Sequence, residues 1–508
     1  MDARPLAPPA PGVPEAPGYA RRAARAGRLS FSTKLFQGLG ALPDALKSFA
    51  FNTFLLLYYD QVLGLPASWA SAALAAAVAV DAVTDPVVGS WSDGLTSRLG
   101  RRHPLMYASV LPLGGSLYFL FSPPDGLEGV GLLAWLAAFA VSARVAMTLF
   151  QVPWSALFVE LTDDYVERSE VVTYRWALAI LGVAGFTVIS WGLIFAGTED
   201  RPGQLDPDAY ARFAVVLALS VSGFALASSL LTQREARYLL QPTAPVRFGA
   251  RRVLGDLRAT LGNANFLRLF TGLLFTAVLT GTVEAMTLYL GTYFWGLTPQ
   301  DLRWFALAAF GALAALLVLP WLNRRYDKRG LLVATMTLSI LNAYVLVSLR
   351  FLGVLPENGE PWLVRILVAN EVLRAFLVVI VGTMFVSMTA DTADEQDLAT
   401  GRRQEGVFSA AVSFSNKAIS GFGILIAGLL LDFVVRFPDG AEPGSVPGGA
   451  LVRLGVVMGY VVPSLYFLPL LVLARYDLDR AGHARITQAL RARRAAPSPH
   501  IGDRHAVP

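Results

Sequence analysis

Val80-Asp81-Ala82-Val83-Thr84-Asp85-Pro86-Val87-Val88-Gly89-Ser90-Trp91-Ser92-Asp93 is the stretch on which the reading of the chain turns. It begins inside a long apolar run, yet it carries two carboxylates four residues apart. On a helix that spacing puts Asp81 and Asp85 on one face, a turn apart. A carboxylate in hydrocarbon costs roughly 2.5–3.5 kcal/mol. Asp93 can reach headgroup water at the end of the run, whereas Asp81 lies about midway along it.

The surroundings are those of a membrane protein. Of 508 residues, 55% are hydrophobic and 16% charged, where a soluble protein carries about 25% charged. Apolar runs long enough to cross a bilayer of about 30 Å recur along almost the whole chain. Twelve spans are predicted near 38–62, 68–92, 104–122, 130–158, 170–197, 211–232, 264–292, 300–322, 330–352, 362–390, 404–435 and 449–475; below they are spans 1 to 12. The expected organisation is a disordered cytoplasmic tail over 1–33, an N-terminal six-helix bundle over 34–232 and a cytoplasmic loop over 233–263. A C-terminal six-helix bundle over 264–475 and a cytoplasmic tail over 476–508 complete it.

Arginine orients the spans. The connections after spans 1, 3 and 5 hold almost no basic residues. Those after the even spans carry Arg98, Arg101 and Arg102, then Arg168, the run Arg234 to Arg258, Arg324 to Arg329, and Arg402 and Arg403. The positive-inside rule therefore puts both termini in the cytoplasm of a multi-pass protein of the cell membrane. Cysteine is absent and the four histidines are scattered or terminal, which excludes disulfides and thiolate metal sites. No paired nucleophile and base appears, so neither an enzyme, a cofactor nor a nucleic-acid partner is expected.

The connections after spans 2 and 8 repeat one another weakly, Asp93 to Arg102 against Asn323 to Gly330. They resemble the Asp/Arg/Gly loop motif of the major facilitator superfamily, which implies two parallel halves around a midplane site. In that reading Asp93, Arg98, Arg101, Arg102, Asp327 and Arg329 form gating loops. Span 8, from Trp304 to Pro320, carries no acid, so this kind of helix does not need carboxylates to fold. Asp81 and Asp85 offer hard oxygens to a small cation, or a protonatable pair, with Thr84 as a neighbouring hydroxyl.

Other polar residues stand out in apolar runs. Asp44 and Lys47 either neutralise each other on one helix face or place Asp44 toward a cavity. Arg144, Thr148, Gln151 and Ser155 make one polar stripe down span 4, and Pro153 should kink it. Arg175 reads as an interfacial anchor or a cavity cation. Glu371 and Arg374 read as a structural pair, and Glu284 as isolated. Lys417 is one of four lysines among 42 basic residues, which suggests that a compact, titratable ammonium is wanted there.

Span 2 and the loop after it, together with Gly38 to Asp44, Tyr58-Tyr59-Asp60, Val152 to Leu157, Ala390 to Asp394 and Lys417, resemble the glycoside–pentoside–hexuronide:cation symporters over about residues 35–475. The resemblance implies a coupling cation, Na⁺ or H⁺, held by Asp81, Thr84, Asp85 and Thr148. It implies a substrate, most simply a sugar or glycoside, held by Asp44, Arg144, Gln151, Trp154 and Arg175, with Lys417 between the two sites as the coupling residue. One departure stands out. Sugar permeases of this family carry an aspartate where this chain has Gln151, and their aromatic lies one place after Trp154. The branch also contains sodium-coupled lysophospholipid transporters of animals, so a lysolipid is the alternative substrate. A sensor or scaffold without turnover is the minor alternative.

Overall fold

The computed structural model describes residues 19–21, 27–162, 164–197, 202–242, 263–400, 417 and 419–495. The chain is an all-helical membrane protein, because a backbone in hydrocarbon must satisfy its own hydrogen bonds. Among the described residues nine helices are long and apolar enough to cross a membrane. They are Ala67–Gly94, Gly129–Leu161, Glu167–Ile194, Pro207–Tyr238, Ala264–Phe294, Pro299–Arg325, Lys328–Phe351, Pro361–Ala399 and Gly448–Leu473, and they correspond to spans 2, 4 to 10 and 12. Span 3 is the 18-residue helix His103–Leu120. Span 1 is broken into Phe31–Leu39 and Leu42–Ala50, followed by the wide turns Phe51–Leu55 and Tyr58–Val62. Span 11 is described from Ile419 to Val435. Its beginning lies outside the described residues, as do most of the central loop, the last residues of the C-terminal tail, and Arg402 and Arg403.

Two compact units form. The first holds residues 1–50, 76–190 and 206–248; the second holds 51–75, 191–205 and 249–508. Two short stretches of the chain's first half, Phe51–Ala75 and Trp191–Leu205, thus belong to the second unit. Polar bonds fasten them there. Asn52 Nδ2 donates to Glu284 Oε2 (2.7 Å), the Ser68 amide to Asp432 Oδ2 (2.8 Å), and Gln204 Nε2 to Thr292 Oγ1 (3.2 Å). Tyr289 Oη and Gln61 Nε2 both donate to the buried Asp60 Oδ2, at 2.6 and 2.7 Å.

Residues 1–33 are not all tail. Ser30 caps the first helix by accepting from the Thr33 amide, the capping geometry this residue type favours. The Leu29 amide donates to Glu167 Oε1 (2.8 Å), and Thr33 Oγ1 donates to Glu235 Oε1 (2.7 Å). Tyr19–Arg21 pairs antiparallel with Leu240–Pro242. The Pro-, Ala- and Arg-rich composition hid these anchors, because each is made with residues more than a hundred positions away. The C-terminal tail likewise contains a helix, Arg480–Ala495.

A carboxylate–guanidinium centre in the first unit

Spans 2 and 4 meet through two polar rungs. Arg144 Nη1 donates to Asp81 Oδ2 at 2.9 Å, and Thr148 Oγ1 donates to Asp85 Oδ1 at 3.0 Å. Each helix advances four residues between rungs, so equal i,i+4 spacings on two neighbouring helices stay in register. Asp81, Arg144 and Thr148 are buried and Asp85 is partly buried. Thr84 Oγ1 is enclosed without a hydrogen-bond partner among the described residues. Pro86 lies inside the same helix and has no N–H to bond the carbonyl four residues before it. Carboxylate, hydroxyl and carbonyl oxygens are the donor set that hard cations take. Asp44 lies within electrostatic reach of Arg144 and accepts from Lys47 Nζ at 2.9 Å.

Nearly two turns further along span 4 the chemistry changes. Trp154 is 1% exposed. Its Nε1 donates to the Gln37 carbonyl (3.0 Å), and Gln37 Nε2 donates to the Trp154 carbonyl (3.1 Å). A Cβ on Gly40 would stand 2.0 Å from Trp154 Nε1, so only glycine lets the indole seat against span 1. The Arg175 guanidinium covers the ring at 3.9 Å, a cation–π contact. The expected stacking surface for a sugar is therefore taken by a side chain of the protein itself. Gln151 Oε1 is buried with no partner among the described residues. The helix runs unbroken through Pro153.

The residues expected to form gating loops fall at the basic ends. Arg102 Nη2 reaches Asp93 and Glu160, each at 2.6 Å, its Nη1 donates to Ser92 Oγ (2.9 Å), and Arg101 reaches the same Glu160 oxygen at 2.8 Å. Arg98 is exposed. In the second unit Asp327 caps Lys328–Phe351, accepting from the Arg329 amide (3.1 Å), and also accepts from the Arg480 amide (3.2 Å). Arg329 Nη2 donates to the Ala474 carbonyl. Lys417 belongs to the second unit.

The sequence reading grouped Asp81, Thr84, Asp85 and Thr148, which the structure brings together. It set Arg144 with the substrate residues, whereas the guanidinium lies on Asp81. The signal was present, because Arg144 and Thr148 repeat the spacing of Asp81 and Asp85, but spacing alone does not say which helix a stripe faces. Glu284 is not isolated: besides Asn52 it feels the charge of Arg374.

The sequence profile described as "MFS/sugar transport protein" matches residues 36–480. An uncharacterized symporter from Synechocystis sp. is 26% identical, the match covering 92% of this chain and 97% of that one. The putative glycoside/cation symporter YagG of Escherichia coli is 26% identical, over 94% and 98%. The sodium-dependent lysophosphatidylcholine symporter 1 of Gallus gallus is 26% identical, over 91% and 89%. Among solved structures the nucleoside transporter NupG shares the fold with a TM-score of 0.59 at 12% identity, over 87% of this chain and 99% of its own. With the profile spanning both units, and as its span-2 motif implies, the chain belongs to the MFS/sugar transport family of the major facilitator superfamily.

Proposed function

We propose that the chain is a secondary transporter that couples the symport of a small solute to a cation, Na⁺ or H⁺, by alternating access. One observation carries the reading: Asp81 and Asp85 lie inside an apolar bundle, met by Arg144 and Thr148 of the neighbouring span. Buried carboxylates in a membrane mark ion or proton pathways. The cation is taken by Asp85, Thr148, Thr84 and Asp81. The substrate set is Asp44, Arg144, Gln151, Trp154 and Arg175, and Lys417 couples the two. Each elementary charge moving down about 100 mV supplies roughly 2.3 kcal/mol. The protein sits in the cell membrane with both termini cytoplasmic, and its gating loops are those of Asp93, Arg98, Arg101 and Arg102 and of Asp327 and Arg329.

A sugar or glycoside is the first substrate class, in line with the family and with YagG. A lysolipid is the second. It is favoured by Arg175 covering the Trp154 ring and by an amide at Gln151, which cannot accept as a bidentate anion. Thermal stability of purified protein against sugars and lysolipids, each with and without Na⁺, separates them. Cation-dependent stabilisation by one class identifies the substrate, and indifference of the wild type to every cation overturns the coupling.

A further inference from the structure

The centre contains its own cation. Three carboxylates, Asp44, Asp81 and Asp85, are gathered there with two basic side chains, Lys47 and Arg144. Lys47 binds Asp44 and Arg144 binds Asp81, both at 2.9 Å, while Asp44 and Asp85 act electrostatically on Arg144. The Asp81 carboxylate and the Arg144 guanidinium are both buried, so each needs an opposite charge beside it. Arginine stays protonated in proteins, so the guanidinium cannot leave by losing its proton. The arriving ion meets a fixed positive charge already seated on one of the two carboxylates.

We propose that Arg144 is a tethered counter-cation that competes with the coupling cation for Asp81. Without the ion, Arg144 holds Asp81 and keeps spans 2 and 4 together. When the cation binds across Asp85 and Asp81, it releases the guanidinium, whose fork then faces the substrate. Cation binding and substrate binding are coupled through one side chain that can serve only one partner at a time. The inference rests on the cation-coupled reading and adds to it the residue that sets cation affinity and transmits occupancy.

The test is cation binding by the purified full chain, read as thermal stabilisation against Na⁺, Li⁺ and H⁺. Arg144→Gln should respond at a cation concentration about tenfold lower than the wild type, because a like charge beside the site is gone. Asp81→Asn in the Arg144→Gln background should cancel that gain. Substrate should no longer shift the cation response of Arg144→Gln. In Arg144→Ala, millimolar guanidinium chloride should restore the weaker wild-type response, which a merely structural role would not produce. Should Arg144→Gln misfold, the Asp81→Asn/Arg144→Gln pair and the guanidinium arm still decide the matter. An unchanged or weaker cation response in folded Arg144→Gln, or no effect of guanidinium on Arg144→Ala, overturns the exchange while leaving coupling in place, since the wild type still binds its ion. A wild type and an Asp85→Asn variant that both ignore every cation overturn the coupling reading itself.

Discussion

The two units treat their charges alike at the basic end and differently in the middle. At the basic end an acid near the foot of a long helix takes basic residues from the loop two spans earlier. Glu160 takes Arg101 and Arg102 in one unit, and Asp391 takes Lys328 in the other. In the middle, Arg144 on span 4 crosses to Asp81 on span 2, whereas Arg374 on span 10 binds Glu371 on its own helix. Span 8 offers no acid between Ala308 and Arg325. A pair within one helix neutralises itself first, and Arg374 reaches span 7 only through the charge of Glu284. A pair between helices makes their spacing depend on charge, which is what an ion can alter. The repeated feature belongs to the fold, and the unrepeated one is where we propose that coupling acts.

That contrast breaks most easily at span 2. Asp85→Asn should lower cation-driven uptake into proteoliposomes by about a hundredfold or more, as loss of a buried charged ligand does, and Asp81→Asn should do the same. Replacing Glu371 and Arg374 together by glutamines should leave uptake within a few-fold. Wild-type cation-driven uptake in either aspartate variant would remove the distinction between the units.

The basic ends sharpen it next. Glu160 and its two arginines are mostly buried, their side chains 12%, 7% and 6% exposed, whereas Lys328 is 32% exposed. Arg102→Ala removes one partner of a buried pair and should cost about 3 kcal/mol. Lys328→Ala, at a more solvated pair, should cost about 1 kcal/mol or less. Denaturation of the two variants in the same detergent measures the difference.

How far the sequence carried the reading follows from the kind of interaction involved. Spans and their alternation were legible because hydrophobic length and arginine placement act locally and along the chain. The grouping of Asp81, Asp85 and Thr148 was legible because helical spacing fixes which residues share a face. The partner of Arg144 was not, since a face does not name its neighbour. The attachment of Phe51–Ala75 to the second unit was not legible either. It depends on single side chains such as Asn52 and Ser68 meeting residues hundreds of positions away. Gly40, at the turn between Phe31–Leu39 and Leu42–Ala50, is an intermediate case: a glycine permits close approach to the backbone, but only the structure identifies Trp154 as what approaches.

Gly40 therefore supplies the third test. Gly40→Ala puts a Cβ 2.0 Å from Trp154 Nε1 and should destabilise by about 1–3 kcal/mol, the range for overpacking. Gly382, in the second unit's span 10, has nothing within 4 Å of an added Cβ. Gly382→Ala should stabilise by up to about 1 kcal/mol through helix propensity alone. If both variants melt with the wild type, the close seat of Trp154 is not what holds span 1 to span 4.

The smallest effect is expected at Asp439, outside the spans, in the loop that follows Val435. Partial burial pushes its carboxyl above the usual range, Asp432 adds to this, and a hydrogen bond with Asp60 opposes it. A carboxyl whose folded value is raised stabilises the fold at low pH, and that contribution is lost as pH rises through the folded value. The ionised group is therefore a mild liability near neutrality. Asp439→Asn should raise the melting temperature slightly at pH 7, and the gain should shrink as pH falls and the wild-type carboxyl takes up its proton. A stabilisation that stays the same as pH falls would show that the gain comes from packing or backbone and not from the crowding of Asp439 against Asp432.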